Sequence, residues 1–181
     1  MNKTQQYDIV YIGGIIMNIK PEQLNENIFK LIGEDWMLIT AGNKTSANTM
    51  TASFGGFGIL FSKKVAAIFV RPERYTYHFL EENDTFSLSF FAQEFKDALK
   101  FCGVKSGKDV DKFKECNFTL SYTENNTPYI NEGRITVICK KIYRQDINKE
   151  SFTDMAPFER TYSEGGMHRV YIGEILDIII K

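Results

Sequence analysis

Residues 48–58 read NTMTASFGGFG, and residues 62–79 read SKKVAAIFVRPERYTYHF. The first stretch strings together side chains too small to hold a ligand off the backbone: Thr49, Thr51, Ala52, Ser53, then glycines at 55, 56 and 58. Such a segment can present N–H groups and hydroxyls to a flat polar ring or a phosphate. The second stretch runs as an apolar strand into Pro72, which suits the first position of a helix because its missing N–H would go unbonded there anyway. A helix start carries partial positive charge, and Arg71 and Arg74 add two full charges beside it. Together they predict a pocket for a phosphorylated, planar cofactor built on strands.

The β reading extends outward from there. WMLITAG (36–42), KVAAIFVR (64–71), TFSLSFF (85–91), FTLSY (118–122), RITVICKKIY (134–143) and RVYIGEILDIII (169–180) are short, rich in β-branched or aromatic residues, and separated by turn signals. RITVICKKIY alternates but is apolar on parts of both faces, which suits a strand buried on both sides. Helices are predicted over 72–82, over 93–102 with Gly103 as the stop, and over 109–116 with Asp109 as the cap. YDIVYIGGIIMNI (7–19) reads as an added strand or hairpin within an extension covering residues 1–20. Few helices, inserted between strands without βα alternation, predict an antiparallel barrel and not a doubly wound parallel sheet.

Composition narrows the function classes. A chain of 181 residues is expected to be one domain, 1–181, with a core that needs no disulfide staple. The 22 Lys and Arg nearly balance the 23 Asp and Glu, so no overall field favours nucleic acid. No charged start leads into an apolar leader, and the longest apolar run, VAAIFV, is far too short to span a bilayer. Cys102, Cys116 and Cys139 are odd in number and lack CxxC spacing, against both a disulfide framework and a zinc site. The expectation is a cytoplasmic protein without a metal.

Five stretches carry a family resemblance: DWMLITAG (35–42), NTMTASFGG (48–56), FVRPERYT (69–76), FCGVKSGKDVDK (101–112) and HRVYIGEI (168–175). In that order, across residues 20–180, they resemble the flavoredoxin branch of the flavin reductase family. The resemblance implies an FMN-binding split β-barrel, mainly β and of Greek-key antiparallel type, with a few inserted short helices. It also implies a homodimer with FMN near the subunit interface. Asn48, Thr49, Met50, Thr51, Ala52 and Ser53 would then lie along the isoalloxazine and ribityl chain. Lys105 and Ser106 would close over the flavin, with Cys102 beside that loop, and His168 would stand near the cofactor. Two departures from related chains, Gly133 and the stretch SEGGMHR (163–169), are expected to reshape the substrate side.

The residues themselves support part of this and leave alternatives. Arg71 and Arg74, three apart and followed by Tyr75 and Thr76, suit phosphate capture, since the guanidinium fork matches phosphate oxygens. Their competing role is surface pairing with Glu73, Glu81 or Glu82, which contributes little. GGFG lacks the GxGxxG spacing and reads equally as a strand-to-turn corner. GVKSGKD has three residues between its first Gly and GK where a Walker A loop has four, and Asp109 replaces the hydroxyl, which disfavours ATP. His78 reads as a packed or surface residue; His168 reads either as structural or as a group that orients an electron donor. No Rossmann fingerprint is present, so NAD(P)H as co-substrate would have to stack on the flavin. Flavin chemistry needs no nucleophile or base from the protein. The leading function is an FMN oxidoreductase fed by NAD(P)H or a redox protein partner and passing electrons to a small acceptor. The alternatives are a non-catalytic FMN-binding protein or electron carrier, and a barrel that has lost its cofactor.

Overall fold

The computed structural model describes residues 9–11 and 14–181, with side chains from Met17 onward. Its strands are β1 (Ile9–Tyr11), β2 (Gly14–Ile19), β3 (Met37–Gly42), β4 (Ala47–Ala52), β5 (Gly55–Leu60), β6 (Lys63–Val70), β7 (Thr85–Phe90), β8 (Leu120–Tyr122), β9 (Pro128–Ile130), β10 (Ile135–Asp146) and β11 (Arg169–Ile180). The helices are α1 (Ile28–Lys30), α2 (Thr76–Glu82), α3 (Lys96–Val104), α4 (Lys112–Glu115) and α5 (Met155–Tyr162).

Neighbouring strands of the main sheet run β1-β2-β11-β10-β7-β3-β4, with β6 also on β11 and β5 on β6. All pairings are antiparallel. β10 and β11 pair along twelve residues, and two register shifts, at Ile138/Cys139 and Lys141/Tyr143, bend them. On its other edge β11 divides its partners: Arg169–Glu174 pair with β6 and Ile178–Ile180 with β2. That division splits the barrel. The predicted mainly β, antiparallel split barrel is the observed fold.

The core follows from the register. Ile39, Ala66, Ile68, Phe86, Leu88, Val137, Cys139 and Tyr171 share one buried cluster inside the barrel. Leu38, Phe91, Leu99, Cys102, Phe118 and Ile130 form a second beneath α3 and the β8–β9 pair. All six residues of β3 are therefore buried, which explains why its sequence is a continuous run without alternation.

Several local readings are corrected. Pro72 lies in a turn in which Arg74 N–H donates to Arg71 O, and α2 starts only at Thr76; Pro at the second position of such a turn is as favourable as at a helix start. Gly103 does not stop the second helix, which opens as a 3₁₀ turn at Gln93–Phe95 and runs on to Val104. A Cβ on Gly103 would lie 3.4 Å from Thr51 Cβ, an ordinary contact, where α3 packs on β4. The cap of α4 is Asp111 and not Asp109: its carboxylate accepts from Phe113 N–H (3.1 Å) and Lys114 N–H (3.2 Å). GGFG lies inside β5 and is not a corner. The helix α5 was not anticipated. The N-terminal hairpin is present as β1 and β2, while residues 1–8 and 12–13 of that reading lie outside the described residues.

Gly173 in β11 faces the barrel interior at the bent ribbon. A Cβ there would lie 2.6 Å from Phe86 Cζ and 2.8 Å from Cys139 Cβ. Gly173→Ala is expected to destabilise the fold by about 1–3 kcal/mol, the usual cost of overpacking. Urea unfolding reads this directly, and an unchanged midpoint would contradict the packing.

Candidate functional site

Two cavities meet at Arg74. The larger, about 350 Å³, is bordered by Met50–Phe54 at the end of β4, by Phe69 and Arg71 at the end of β6, and by Trp36, Gly103, Thr161 and His168. The smaller, about 190 Å³, lies between Glu73–Thr76 and Val104–Gly107, with Lys112 at its base. Arg74 borders both.

The smaller cavity is cationic. Arg74 is half-buried, and its Nη2 is a buried polar atom without a hydrogen-bond partner among the described residues. Burial lowers its pKa, and no carboxylate opposes that shift. Lys112 is only 3% exposed. Its Nζ donates to Thr49 O at 2.7 Å and to Cys102 O at 2.8 Å, the second a carbonyl in the last turn of α3, where a cation is favoured. Burial pulls its pKa down to about 8, with Arg74 adding to the effect and the Cys102 and Cys116 thiols opposing it. Thr76 Oγ1 accepts from Asn48 Nδ2 at 2.8 Å, which leaves its own hydrogen free to donate. A Cβ on Gly107 would lie 2.1 Å from Asn48 Oδ1, so only glycine lets this loop press on β4. Three cations, Arg74, Lys105 and Lys112, border this cavity against one acid, Glu73, and with the Thr76 hydroxyl as a free donor that excess suits an anion.

The larger cavity joins aromatic rings to the guanidiniums of Arg71 and Arg74. His168 is 6% exposed, with Nδ1 2.8 Å from the Tyr162 hydroxyl and Phe54 edge-on at 5.1 Å. Burial, then Arg71, lower its pKa to about 4, against a smaller upward pull from Glu73. Arg71 does not reach the smaller cavity: its Nη2 donates to Thr161 O at 3.0 Å, and its guanidinium lies over the Tyr162 ring at 5.9 Å. Trp36 has a φ of 68° and a ψ of 167°, a combination otherwise confined to glycine, and Lys96 Nζ sits 3.4 Å from the centroid of its ring.

The structure gathers most of the expected residues. Met50, Thr51, Ala52, Ser53, Arg71, Arg74 and His168 border the larger cavity; Arg74, Tyr75, Thr76, Lys105 and Ser106 border the smaller. The Thr51 hydroxyl is committed to Leu99 O, tying β4 to α3. Asn48, Thr49 and Cys102, expected near flavin, border neither cavity, Asn48 instead bonding Thr76 Oγ1 through its side chain. The Thr49 hydroxyl is buried against Thr40 Oγ1 and Ile39 O. Cys102 is buried in the second cluster, its Sγ 3.8 Å from that of Cys116 and its thiol pushed up to about 12 by burial. Both serve the site through the carbonyls that hold Lys112. Gly133, expected on the substrate side, packs beside Ser89 and Thr136 and borders neither cavity. The sequence reading missed Trp36, Phe54, Phe69, Lys112 and Tyr162. Only the Asp154 cap before α5, accepting from Ala156 N–H, offered a local signal for any of them.

A split antiparallel barrel with an anion pocket opening beside an aromatic cavity defines a ligand-binding barrel. The model of the flavin reductase like domain matches residues 30–181, and the chain belongs to that family. No curated protein matches it by sequence. Among solved structures, the flavoredoxin of Methanosarcina acetivorans is similar over 90% of this chain and 76% of its own, at 21% identity and a TM-score of 0.63. The flavoredoxin of Desulfovibrio vulgaris (Miyazaki F) covers 90% of this chain and 77% of its own, at 21% identity and a TM-score of 0.64. An FMN-binding protein from Thermus thermophilus, with bound p-hydroxybenzaldehyde, covers 90% and 81% at 15% identity, with a TM-score of 0.64. These likenesses establish the fold.

The buried imidazole makes a pH prediction. His168 titrates at about 4 when folded and at the ordinary 6.5 when unfolded, so the unfolded chain takes up the proton first as pH falls. The stability it contributes is complete above 6.5 and is lost progressively down to about 4, on the order of 3 kcal/mol in all. His168→Phe should flatten this limb of the stability profile. Parallel profiles for the two proteins over that range would show that the imidazole is not neutral in the fold.

Proposed function

We propose that this chain is a single-domain, FMN-binding oxidoreductase that passes electrons from NAD(P)H or a redox protein to a small acceptor. The observation that carries the reading is Arg74: a guanidinium nitrogen buried without a partner, where a phosphorylated ligand entering the larger cavity would reach the smaller one. The residues present fit the cofactor. Arg74, Lys112, Thr76 and Ser106 would hold its phosphate, and Met50–Ser53, with Trp36 and Phe54, would border its ring. Bound flavin supplies the redox chemistry; the chain binds it, orients the partner and excludes water. Membership of the flavin reductase like family and the fold shared with flavoredoxins support this reading. A buried cation pair beneath the phosphate favours retained FMN, the arrangement an electron carrier needs, over release of FMN as product.

The partners follow from exposed surface. β5 pairs only with β6 among the described residues; Ile59 (70% exposed) and Phe61 (64%) project at the tip of that hairpin, and Phe54, at the other end of β5, borders the larger cavity. A second copy covering this edge would wall the ring, giving a homodimer with two equivalent sites. No described helix is long and apolar enough to cross a membrane. The free cysteines suit a reducing, cytoplasmic setting.

FMN should bind at least about tenfold more tightly than riboflavin, since each charged contact contributes roughly 1.5–3 kcal/mol. Arg74→Ala and Lys112→Met should each erode that preference. In the free protein Lys112 is charged below about pH 8 and neutral above it, and the phosphate favours the charged form. FMN affinity should therefore weaken as pH rises through 8, and Lys112→Met should remove the break. Equal binding of FMN and riboflavin would remove the phosphate from this pocket. The electron donor is tested separately by stopped-flow bleaching of the flavin band with NADH and NADPH. Bleaching by dithionite alone would make the protein a carrier reduced by another protein.

A further inference from the structure

Tyr162 and His168 form a buried hydrogen-bonded pair beside the larger cavity. Tyr162 is buried at the end of α5, bracketed by Phe152 and Phe158 at ring-centroid distances of 6.1 and 5.9 Å. Arg71 fixes the same helix end through Thr161 O and lies over the Tyr162 ring. The imidazole of His168 is held between Tyr162 on one side and the edge of Phe54 on the other.

The hydrogen bond between them has one consistent direction. The His168 backbone N–H faces the phenol oxygen, and burial keeps the phenol protonated. Nδ1 is the one acceptor within reach of the buried hydroxyl hydrogen among the described residues. With Nδ1 accepting, the ring proton resides on Nε2, which has no partner among the described residues and belongs to a side chain that borders the larger cavity.

We propose that Tyr162 is a positioning residue that locks His168 as its Nε2–H tautomer, giving the cavity one uncharged donor that selects a substrate with a neutral carbonyl or carboxamide oxygen. The selection rests on the flavin reading above, because the ring of that substrate or electron donor has to reach the bound flavin. The tautomer lock does not. A low imidazole pKa, set by burial and by Arg71 against Glu73, keeps the donor uncharged near neutral pH. It therefore recognises a dipole and not a carboxylate. Such groups include the carboxamide of a nicotinamide and the carbonyl of a small acceptor.

The chain has only two histidines, and His78 is exposed, so ¹⁵N-detected imidazole spectra assign themselves with one variant, His168→Asn. In the wild type, with and without FMN, His168 should show the Nε2–H pattern between roughly pH 5 and 8. Tyr162→Phe, which keeps the ring, should give a mixture with the Nδ1–H form. It should leave FMN affinity within about twofold and raise the KM or Kd for the carbonyl-bearing partner about five- to tenfold. Arg71→Gln, which loosens α5 without deleting the hydroxyl, should move the tautomer part of the way. A wild-type Nδ1–H pattern, or an unchanged spectrum in Tyr162→Phe, overturns the lock. A shifted tautomer with unaltered partner KM overturns the selection. Failure to bind FMN with a normal wild-type tautomer overturns only the flavin reading.

Discussion

A buried ammonium with no carboxylate beside it sets the geometry of this site. Lys112 Nζ lies between Thr49 O of β4 and Cys102 O near the end of α3, and nothing acidic among the described residues pairs with it. Removing such a charge from water is costly, and the arrangement survives because both acceptors are fixed, one of them at the negative end of a helix. The same tie draws α3 and the following loop against β4. Gly107 against Asn48 is where that closeness leaves no room for a Cβ, while Gly103 faces Thr51 at ordinary contact distance. The anion pocket is thus a consequence of how α3 and α4 dock on the barrel.

How much of this could be read from the chain depends on the range of the interaction. The strands were legible because β-branched and aromatic runs register burial locally: KVAAIFVR, TFSLSFF and RITVICKKIY became β6, β7 and the first part of β10. Helix ends were less so. Asp109 and Asp111 are equally good caps on paper, and only the fold decides that Asp111 meets the Phe113 and Lys114 amides. Gly103 looked like a stop because glycine usually marks one. Here it lies within the last turn of α3 facing Thr51, because the helix continues to Val104 where it docks on β4.

The site divides the same way. NTMTAS and RPERYT carried enough composition to place Met50–Ser53, Arg74, Tyr75 and Thr76 around cavities. Two arginines three apart gave no means of telling which would remain free. The structure turns Arg71 toward α5 and leaves Arg74 unpartnered, a division set by a helix more than eighty residues later in sequence. Lys112, within GKDVDKF, looked like any solvated lysine of a charged helix, because burial of a single cation has no sequence signature. Thr49 and Cys102, read as flavin contacts, offer Lys112 their backbone carbonyls, and side-chain chemistry does not report on those.

The two cavities therefore differ in electrostatic character. At one end burial and Arg74 lower the pKa of Lys112, while burial lowers that of Arg74; at the other an uncharged imidazole sits among Trp36, Phe54 and Phe69. A ligand that is anionic at one end and flat and aromatic at the other meets both conditions at once. Its anion would do more than add contacts, because in its absence the fold bears the cost of an unpaired guanidinium nitrogen and two like charges. Part of its binding free energy would be relief of that cost, and by linkage its binding would stabilise the folded chain in proportion to RT ln(1 + L/Kd), with L the free ligand concentration. Affinity for the anion and stability of the α3–β4 contact are then two readings of one interaction, centred on Lys112.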